Sequence, residues 1–512
     1  MTLVLQIAFV LCILADNASS EPGKLSFASY YGDHMVLQRA PQRAVVWGYA
    51  SLPVGSVNVT VKGAGSTIGV NYTSRVSPHP ETGGVWSVTL RPVNDTKPYT
   101  LTLAGRAGTE KISDVLFGDV WLCSGQSNMQ FTVNMSYNAS VQLEDVANYT
   151  SVRVFTAQEA TSRVALRDLK AVLEPWSIPS KASLEGREFT YFSDLCWLYG
   201  RYLHDHLMYP IGLIDTTWGE TAIEQWTSSA VLKKCNVTPK PLHDSELWNA
   251  MISPFASMSL YGVIWYQGES NAPEPSTYNC TFPGMIEDWR KHFSSNSDTR
   301  PEFPFGFVQL GPNHNDSSIT AGFPDIRWHQ TADVGYVPNT LMPNTFMAVA
   351  MDLPDFKSPW DSIHPRDKDT VARRLVMAAM SVAYNLTMGE IQGPFPESFQ
   401  VDSAYMTLYV RYTNTVLAPI RSNHGFEVIC SPFGKYVRSN HVHDDATWSS
   451  VPIIQSDNTA ITLDLQQACA NQTVAGVRYA WRESPCEYKS CAIYSQYTDL
   501  PAPPYLVVGY LP

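Results

Sequence analysis

The chain has 512 residues, 44% of them hydrophobic and 16% charged, with a formal charge of −12. That length predicts about three domains, and the apolar content excludes a disordered or coiled-coil chain. Thirty-five Lys and Arg against forty-seven Asp and Glu create no global field that would draw phosphate in, so neither a nucleic acid nor an anionic membrane is expected as a partner. A small anionic substrate needs only a local basic pocket and stays open.

Residues 2–14 form an almost unbroken apolar run, interrupted by Gln6, and Ala18-Ser19-Ser20 follow. Residues 1–20 therefore read as a secretory signal peptide. The run is too short to span a bilayer, and no later run reaches about eighteen apolar residues, so no membrane anchor is expected. The expected location is the secretory pathway; lysosomal delivery and secretion begin with the same leader and both stay open. Eleven Asn-x-Ser/Thr sequons follow the leader, as in a glycoprotein. The candidate glycosylation sites are Asn58, Asn71, Asn94, Asn148, Asn236, Asn279, Asn315, Asn385 and Asn471. Asn134 and Asn138 lie close to the candidate catalytic segment, which argues against glycans on both. Removing Cys12 with the leader leaves eight cysteines, an even number that predicts disulfides in an exported chain. Cys486 and Cys491 can close a small loop; the other pairings stay open. No paired CxxC and no HExxH occurs, so no metal and no cofactor is expected.

From about residue 24 to 108 the chain reads as β structure. Residues 44–48, 56–61, 84–90 and 99–103 alternate or cluster β-formers between Gly and Pro, which predicts a small β-sandwich. From about Ile112 short apolar runs alternate with helical patterns. Strands are expected at 115–122, 152–156, 211–216, 262–266, 306–310 and 346–351. Leu195, Leu198 and Tyr202 predict an amphipathic helix, and 368–384 another. Strands alternating with helices imply a parallel sheet covered on both faces, with its site at the C-terminal ends of the strands. After about Gly393 the pattern is β again, at 404–412, 427–430 and 460–465. The expected division is a β domain over 21–110, an α/β domain over 111–392 and a β-rich domain over 393–512.

Four strand ends carry the polar chemistry. In residues 118–129 an apolar strand runs into Ser124-Gly125-Gln126-Ser127-Asn128. A serine there can project its hydroxyl from the sheet edge, with Gly125 permitting the turn and following N–H groups facing an oxyanion. An ordinary strand-to-loop turn has the same composition. Asp361 and His364, three apart, can face the same way, so that the carboxylate fixes the tautomer and the free nitrogen takes a serine proton. A capping aspartate beside a surface histidine is the plainer reading. Gln267, in Trp-Tyr-Gln-Gly-Glu-Ser-Asn (265–271), offers amide donors, and Gly219 offers an N–H with no side chain in the way.

Together these segments resemble the sialate O-acetylesterases, within the SGNH/GDSL hydrolase superfamily. The resemblance extends to residues 34–41 (His-Met-Val-Leu-Gln-Arg-Ala-Pro), 46–48, 326–333, 477–481 and 500–504, nearly the whole mature chain. It implies an SGNH-hydrolase-like α/β core flanked by β-sandwich-like domains. It implies Ser127 as nucleophile, His364 as general base and Asp361 as its orienting group, with an oxyanion hole from the Ser127 N–H, Gly219 and Gln267. The implied reaction is acetyl transfer from an O-acetylated sialic acid (9-O-acetyl type) to serine and then to water. Arg327 is a candidate for the sugar carboxylate, and Glu269 and His329 are candidate pocket residues. The usual Gly-Gly-Thr is here Gly219-Glu220-Thr221, which adds a carboxylate where an anionic sugar would bind. Two alternatives remain: an acetylxylan-type esterase, and a carbohydrate-binding glycoprotein without turnover.

Overall fold

The computed structural model describes residues 25–50, 55–80, 83–240, 243–386, 389–412, 415–432, 448–470 and 472–509. The expected leader and the Asn471 sequon lie outside the described residues.

The centre is a sheet in the order Val172–Ser177, Val152–Ala157, Ile211–Thr217, Gly108–Gly125, Gly262–Tyr266, Phe305–Gln309 and Thr345–Val349. All neighbours run parallel except Val172–Ser177, an antiparallel edge strand that the apolar-run pattern does not reveal. Ile211–Thr217, Gly262–Tyr266, Phe305–Gln309 and Thr345–Val349 are buried at every position. A strand covered on both faces has to be apolar throughout, which is why these read as unbroken runs rather than alternations.

Alternate side chains sort onto the two faces. Trp121 and Cys123 meet the helix Asp194–Leu207, through the Tyr199 ring at 5.0 Å and a Cys123–Cys196 disulfide. Trp265, Phe305 and Phe307 meet the helix Tyr278–Asn296 on the other face, through Trp289 and Phe282 at 5.2 to 6.2 Å. The Ser193 hydroxyl accepts from the Cys196 N–H and caps the first of these helices. Asp367 caps the helix Lys368–Val382 through the Thr370 N–H. Each cap satisfies an N-terminal donor that the helix cannot pair internally.

The N-terminal β layers are joined to this sheet by a single continuous strand. Gly108–Gly125 first pairs antiparallel with Tyr99–Gly105, then parallel with Val36–Gln38 and the central strands. The expected boundary at residue 110 falls inside it. Its pairing with Tyr99–Gly105 shifts register between Tyr99 and Leu101, but the strand runs on into the central sheet. Beyond the helix Lys368–Val382 two four-stranded antiparallel sheets follow, Ser398–Asp402 with Thr407–Arg411, Ala460–Asp464 and Ile453–Ser456, and Trp448–Val451 with Phe426–Ser431, Thr473–Tyr479 and Tyr505–Val508.

The eight cysteines pair as Cys123–Cys196, Cys235–Cys280, Cys430–Cys469 and Cys486–Cys491, the last as the spacing suggests. Such pairing belongs to the oxidising secretory pathway. Among the described residues no helix is long and apolar enough to cross a membrane. Asn58, Asn71, Asn94, Asn148, Asn236, Asn315 and Asn385 are exposed; Asn279 is half-buried and its amide donates to Asp333 at 2.7 Å.

Candidate active site

Three adjacent strands end together. Gly125 takes φ +138°, and a Cβ there would stand 2.2 Å from the Tyr266 carbonyl oxygen, so only glycine admits this approach. The Trp218 N–H donates to the Gly125 carbonyl at 3.1 Å and the Gln126 N–H to the Tyr266 carbonyl at 3.0 Å. These bonds fuse the C-terminal edge of the sheet into one platform. One helical turn, Ser127–Gln130, rises from it, with Ser127 at its first position and 9% exposed. An N–H at that position has no acceptor within the turn.

His364 reaches this serine from 237 residues further on. Its Nε2 lies 2.8 Å from Ser127 Oγ, and its Nδ1 lies 2.5 Å from the Trp360 carbonyl oxygen. A carbonyl can only accept, so Nδ1 carries the hydrogen and Nε2 presents a lone pair to the serine hydroxyl. The rings of Phe189 and Phe131 stand 5.0 and 6.5 Å from the imidazole. Burial lowers the imidazole pKa below its usual 6.5 and Lys368 adds to this, while the Trp360 carbonyl, Asp361 and Glu220 oppose it. The net shift favours the neutral base.

Asp361 is not the orienting group here. Its side chain is exposed and its backbone sits at φ +68°, where its carbonyl accepts the His364 N–H and closes a tight turn. That turn brings the Trp360 carbonyl to Nδ1, and the exposed Asp361 carboxylate bears on the imidazole through its charge.

The expected oxyanion donors are arranged unequally. The Gly219 N–H is close to the serine, since a Cβ on Gly219 would be 3.4 Å from Ser127 Cβ, but it donates to Gln130 Oε1 at 2.8 Å. Gln130 is held in turn by Glu159, its Nε2 donating at 2.6 Å. Gln267 does not offer its amide to the site. It is fully buried, and Nε2 donates to the Thr221 carbonyl at 3.1 Å and to Asn271 Oδ1 at 2.8 Å, while Oε1 accepts from Tyr278 at 3.0 Å. It knits together the loops after two strands.

Arg327 cannot meet a substrate carboxylate. It is 0% exposed, and Nε, Nη1 and Nη2 donate to the carbonyls of Leu310, Arg482 and Glu483 at 2.6 to 2.9 Å. It pins the C-terminal segment to the α/β core, and burial pushes its pKa down to about 10. Glu269 is 6% exposed and accepts from Asn128 Nδ2 at 2.6 Å, so it braces the residue after the serine rather than lining an open pocket. His329 pairs with Asp333 at 2.5 Å. Glu220 is exposed in the left-handed region at φ +60°, a conformation that costs glycine nothing.

Five further residues shape the site without having been singled out by pattern: Asn128, Gln130, Phe189, Trp360 and Lys368. Asn128 and Gln130 flank Ser127 in the same turn, so proximity to the serine was the available signal. Trp360 acts through its main chain, which leaves no mark on residue type.

A serine hydroxyl paired with a histidine whose second nitrogen is already engaged, at the C-terminal edge of a parallel α/β sheet, is the arrangement of a serine hydrolase. Two family models match: one described as carbohydrate esterase, sialic acid-specific acetylesterase over residues 117–371, and one described as sialate O-acetylesterase C-terminal domain over residues 397–509. The chain is 42% identical over 540 residues to the sialate O-acetylesterase of Mus musculus, covering 97% of each. It is 43% identical over 521 residues to that of Homo sapiens, covering 98% of this chain and 96% of that one. The crystal structure of a carbohydrate acetylesterase from Xanthomonas citri superposes with a TM-score of 0.75 at 24% identity, over 94% of this chain and 99% of that one, a likeness of fold. The chain belongs to the sialate O-acetylesterase family, and it is an esterase.

Proposed function

We propose that this chain hydrolyses O-acetyl esters of sialic acids, of the 9-O-acetyl type, through an acetyl-serine at Ser127. The single observation that carries the chemistry is the 2.8 Å contact between Ser127 Oγ and His364 Nε2, with Nδ1 already donating to Trp360. His364 takes the hydroxyl proton as Oγ attacks the acetyl carbonyl. The imidazolium so formed keeps its Nδ1 bond to the Trp360 carbonyl and returns the Nε2 proton to the departing sugar hydroxyl. Water, activated by the same imidazole, then releases acetate and frees the serine. The oxyanion takes its first donor from the Ser127 N–H. Its second is the Gly219 N–H, which exchanges Gln130 Oε1 for the substrate oxygen. Asp361 assists only by its charge.

The choice of sugar rests on the curated relatives, which are sialate O-acetylesterases. One feature favours a second reading: exposed Glu220 and the Glu159–Gln130 pair put carboxylates beside the serine, which suits a neutral acetylated sugar such as acetylated xylan. Acetate release from O-acetylated sialic acid and from acetylated xylan, for wild type and Ser127→Ala, tests both. We expect release from the sialic acid only, abolished in the variant. Release from xylan alone would transfer the assignment to the second reading, and wild-type activity in Ser127→Ala would end the nucleophile assignment. The working division is an N-terminal β layer, the α/β core and a C-terminal β region from about residue 393, with glycans on the exposed sequons. Delivery is to the lysosome or to the outside of the cell, and four disulfides support either.

A further inference from the structure

Lys368 is a buried cation outside the mechanism above. It is 1% exposed at the first turn of the helix Lys368–Val382. Its Nζ donates to Asn128 Oδ1 at 2.8 Å and to the Pro365 carbonyl at 2.6 Å. Asn128 in turn donates to the Ile363 carbonyl at 2.8 Å and to Glu269 at 2.6 Å. The two carbonyls held in this way flank His364 on either side, and Asn128 directly follows Ser127. The ammonium also lies 4.2 Å from the centre of the Phe131 ring, which stands 6.0 Å from Phe189 and 6.5 Å from the imidazole.

We propose that Lys368 is a positioning residue for the esterase reaction: its ammonium ties the turn carrying His364 to the turn carrying Ser127 and presents positive charge to the imidazole. This rests on the assignment of Ser127 and His364 as nucleophile and base. A buried ammonium is retained when its protons all have acceptors or partners, and here two acceptors and an aromatic face receive it.

The charges around both groups set the sign. Facing Lys368 are Asp194 from the helix Asp194–Leu207, Glu269 from the loop after Gly262–Tyr266, and Asp367 and Asp355. Facing His364 are Lys368, Asp361 and Glu220. Burial brings Lys368 down to about 7, pushes Asp194 up to about 7 and raises Glu269, whose Oε2 has no partner among the described residues. As pH falls into the range where His364 titrates, Lys368 therefore gains positive charge while Asp194 loses its negative charge. The remaining positive charge disfavours the imidazolium, and its removal makes His364 easier to protonate.

The test is the pH profile of kcat/KM for acetate release from O-acetylated sialic acid in wild type, Lys368→Met, Lys368→Gln and Lys368→Arg, each checked by thermal melting, beside Ser127→Ala. Methionine removes charge and donors, glutamine removes the charge but keeps N–H donors on a shorter side chain, and arginine keeps the charge. We expect kcat to fall about tenfold or more in the methionine variant with KM within about threefold, as for a misaligned base. The acid limb should move to higher pH by about 0.5 unit or more in the methionine and glutamine variants and by under about 0.2 in the arginine variant. An unmoved limb in a folded methionine or glutamine variant overturns the proposal. If neither folds, the wild-type limb in about 20 and about 500 mM NaCl decides, because salt screens exposed charges and leaves buried ones. Screening Glu220 and Asp361 moves the limb down or leaves it in place. An upward shift would mean that an exposed cation opposes protonation, and would overturn the proposal. Undiminished activity in Ser127→Ala would instead sink the nucleophile assignment, and this inference with it.

Discussion

Replacing Gln267 with alanine separates two accounts of this site. If the side-chain amide held the oxyanion, its loss would cost about 2.7–4 kcal/mol in the transition state, a hundred- to a thousandfold in turnover, with little effect on folding. The structure leads to the opposite expectation. Both amide hydrogens are engaged, with the Thr221 carbonyl at 3.1 Å and Asn271 Oδ1 at 2.8 Å, and the side chain is fully buried. Asn271 Oδ1 keeps the Ile223 N–H, and the Tyr278 hydroxyl keeps a longer bond to the Gln267 carbonyl. The stranded group is the Thr221 carbonyl, at about 1–3 kcal/mol, and the emptied volume adds a cavity cost, for about 2–4 kcal/mol of stability in all. Urea or thermal unfolding, run with kcat/KM per folded molecule, measures both quantities. The reasoning is refuted if turnover falls about a hundredfold while stability changes by less than about 1 kcal/mol.

Three further substitutions probe the same geometry. Asp361→Asn keeps a residue that tolerates positive φ and removes only the charge, so kcat should fall by less than about tenfold; a loss near 10⁴, the size expected when a carboxylate fixes the tautomer, would restore Asp361 as the orienting group. Glu220→Gln removes a carboxylate that favours the imidazolium, so the acid limb of kcat/KM should move to lower pH, less so at high salt. Activity in every case should fall as pH drops through a midpoint below 6.5, because burial leaves His364 harder to protonate than free imidazole. Arg327→Met strands three buried carbonyls and should cost several kcal/mol of stability, at about 1–3 kcal/mol each, with KM of the folded enzyme within about threefold; a tenfold rise in KM at unchanged stability would make it a substrate ligand after all.

The central strands were legible because burial on both faces forces apolar runs, as in Ile211–Thr217 and Gly262–Tyr266. Val172–Ser177 was not, because an antiparallel edge strand with Glu174 and Pro175 alternates exposure and lacks such a run. The helix Tyr278–Asn296 carries Pro283 near its start, which hides a stripe of Tyr278, Phe282, Met285, Trp289 and Phe293. That Ser127 and His364 come together, at 2.8 Å, was readable from strand-end chemistry and family motifs. The partner of His364 was not, because a main-chain carbonyl has the same appearance at every residue. Gln267 and Arg327 carry suitable donors by type, but whether a donor is free depends on packing that brings Thr221, Leu310 and Arg482 against them. Nor does composition tell a buried lysine from a solvated one, so Lys368 read as an ordinary helix residue.

Rapid acid quench of the enzyme during turnover of O-acetylated sialic acid, followed by peptide mass spectrometry, tests the central claim most directly. An acetyl group on the peptide containing Ser127, growing in before steady-state acetate and missing from Ser127→Ala, is the predicted result. Steady release of acetate with the acetyl group on another residue, or from the Ser127→Ala protein, would contradict it.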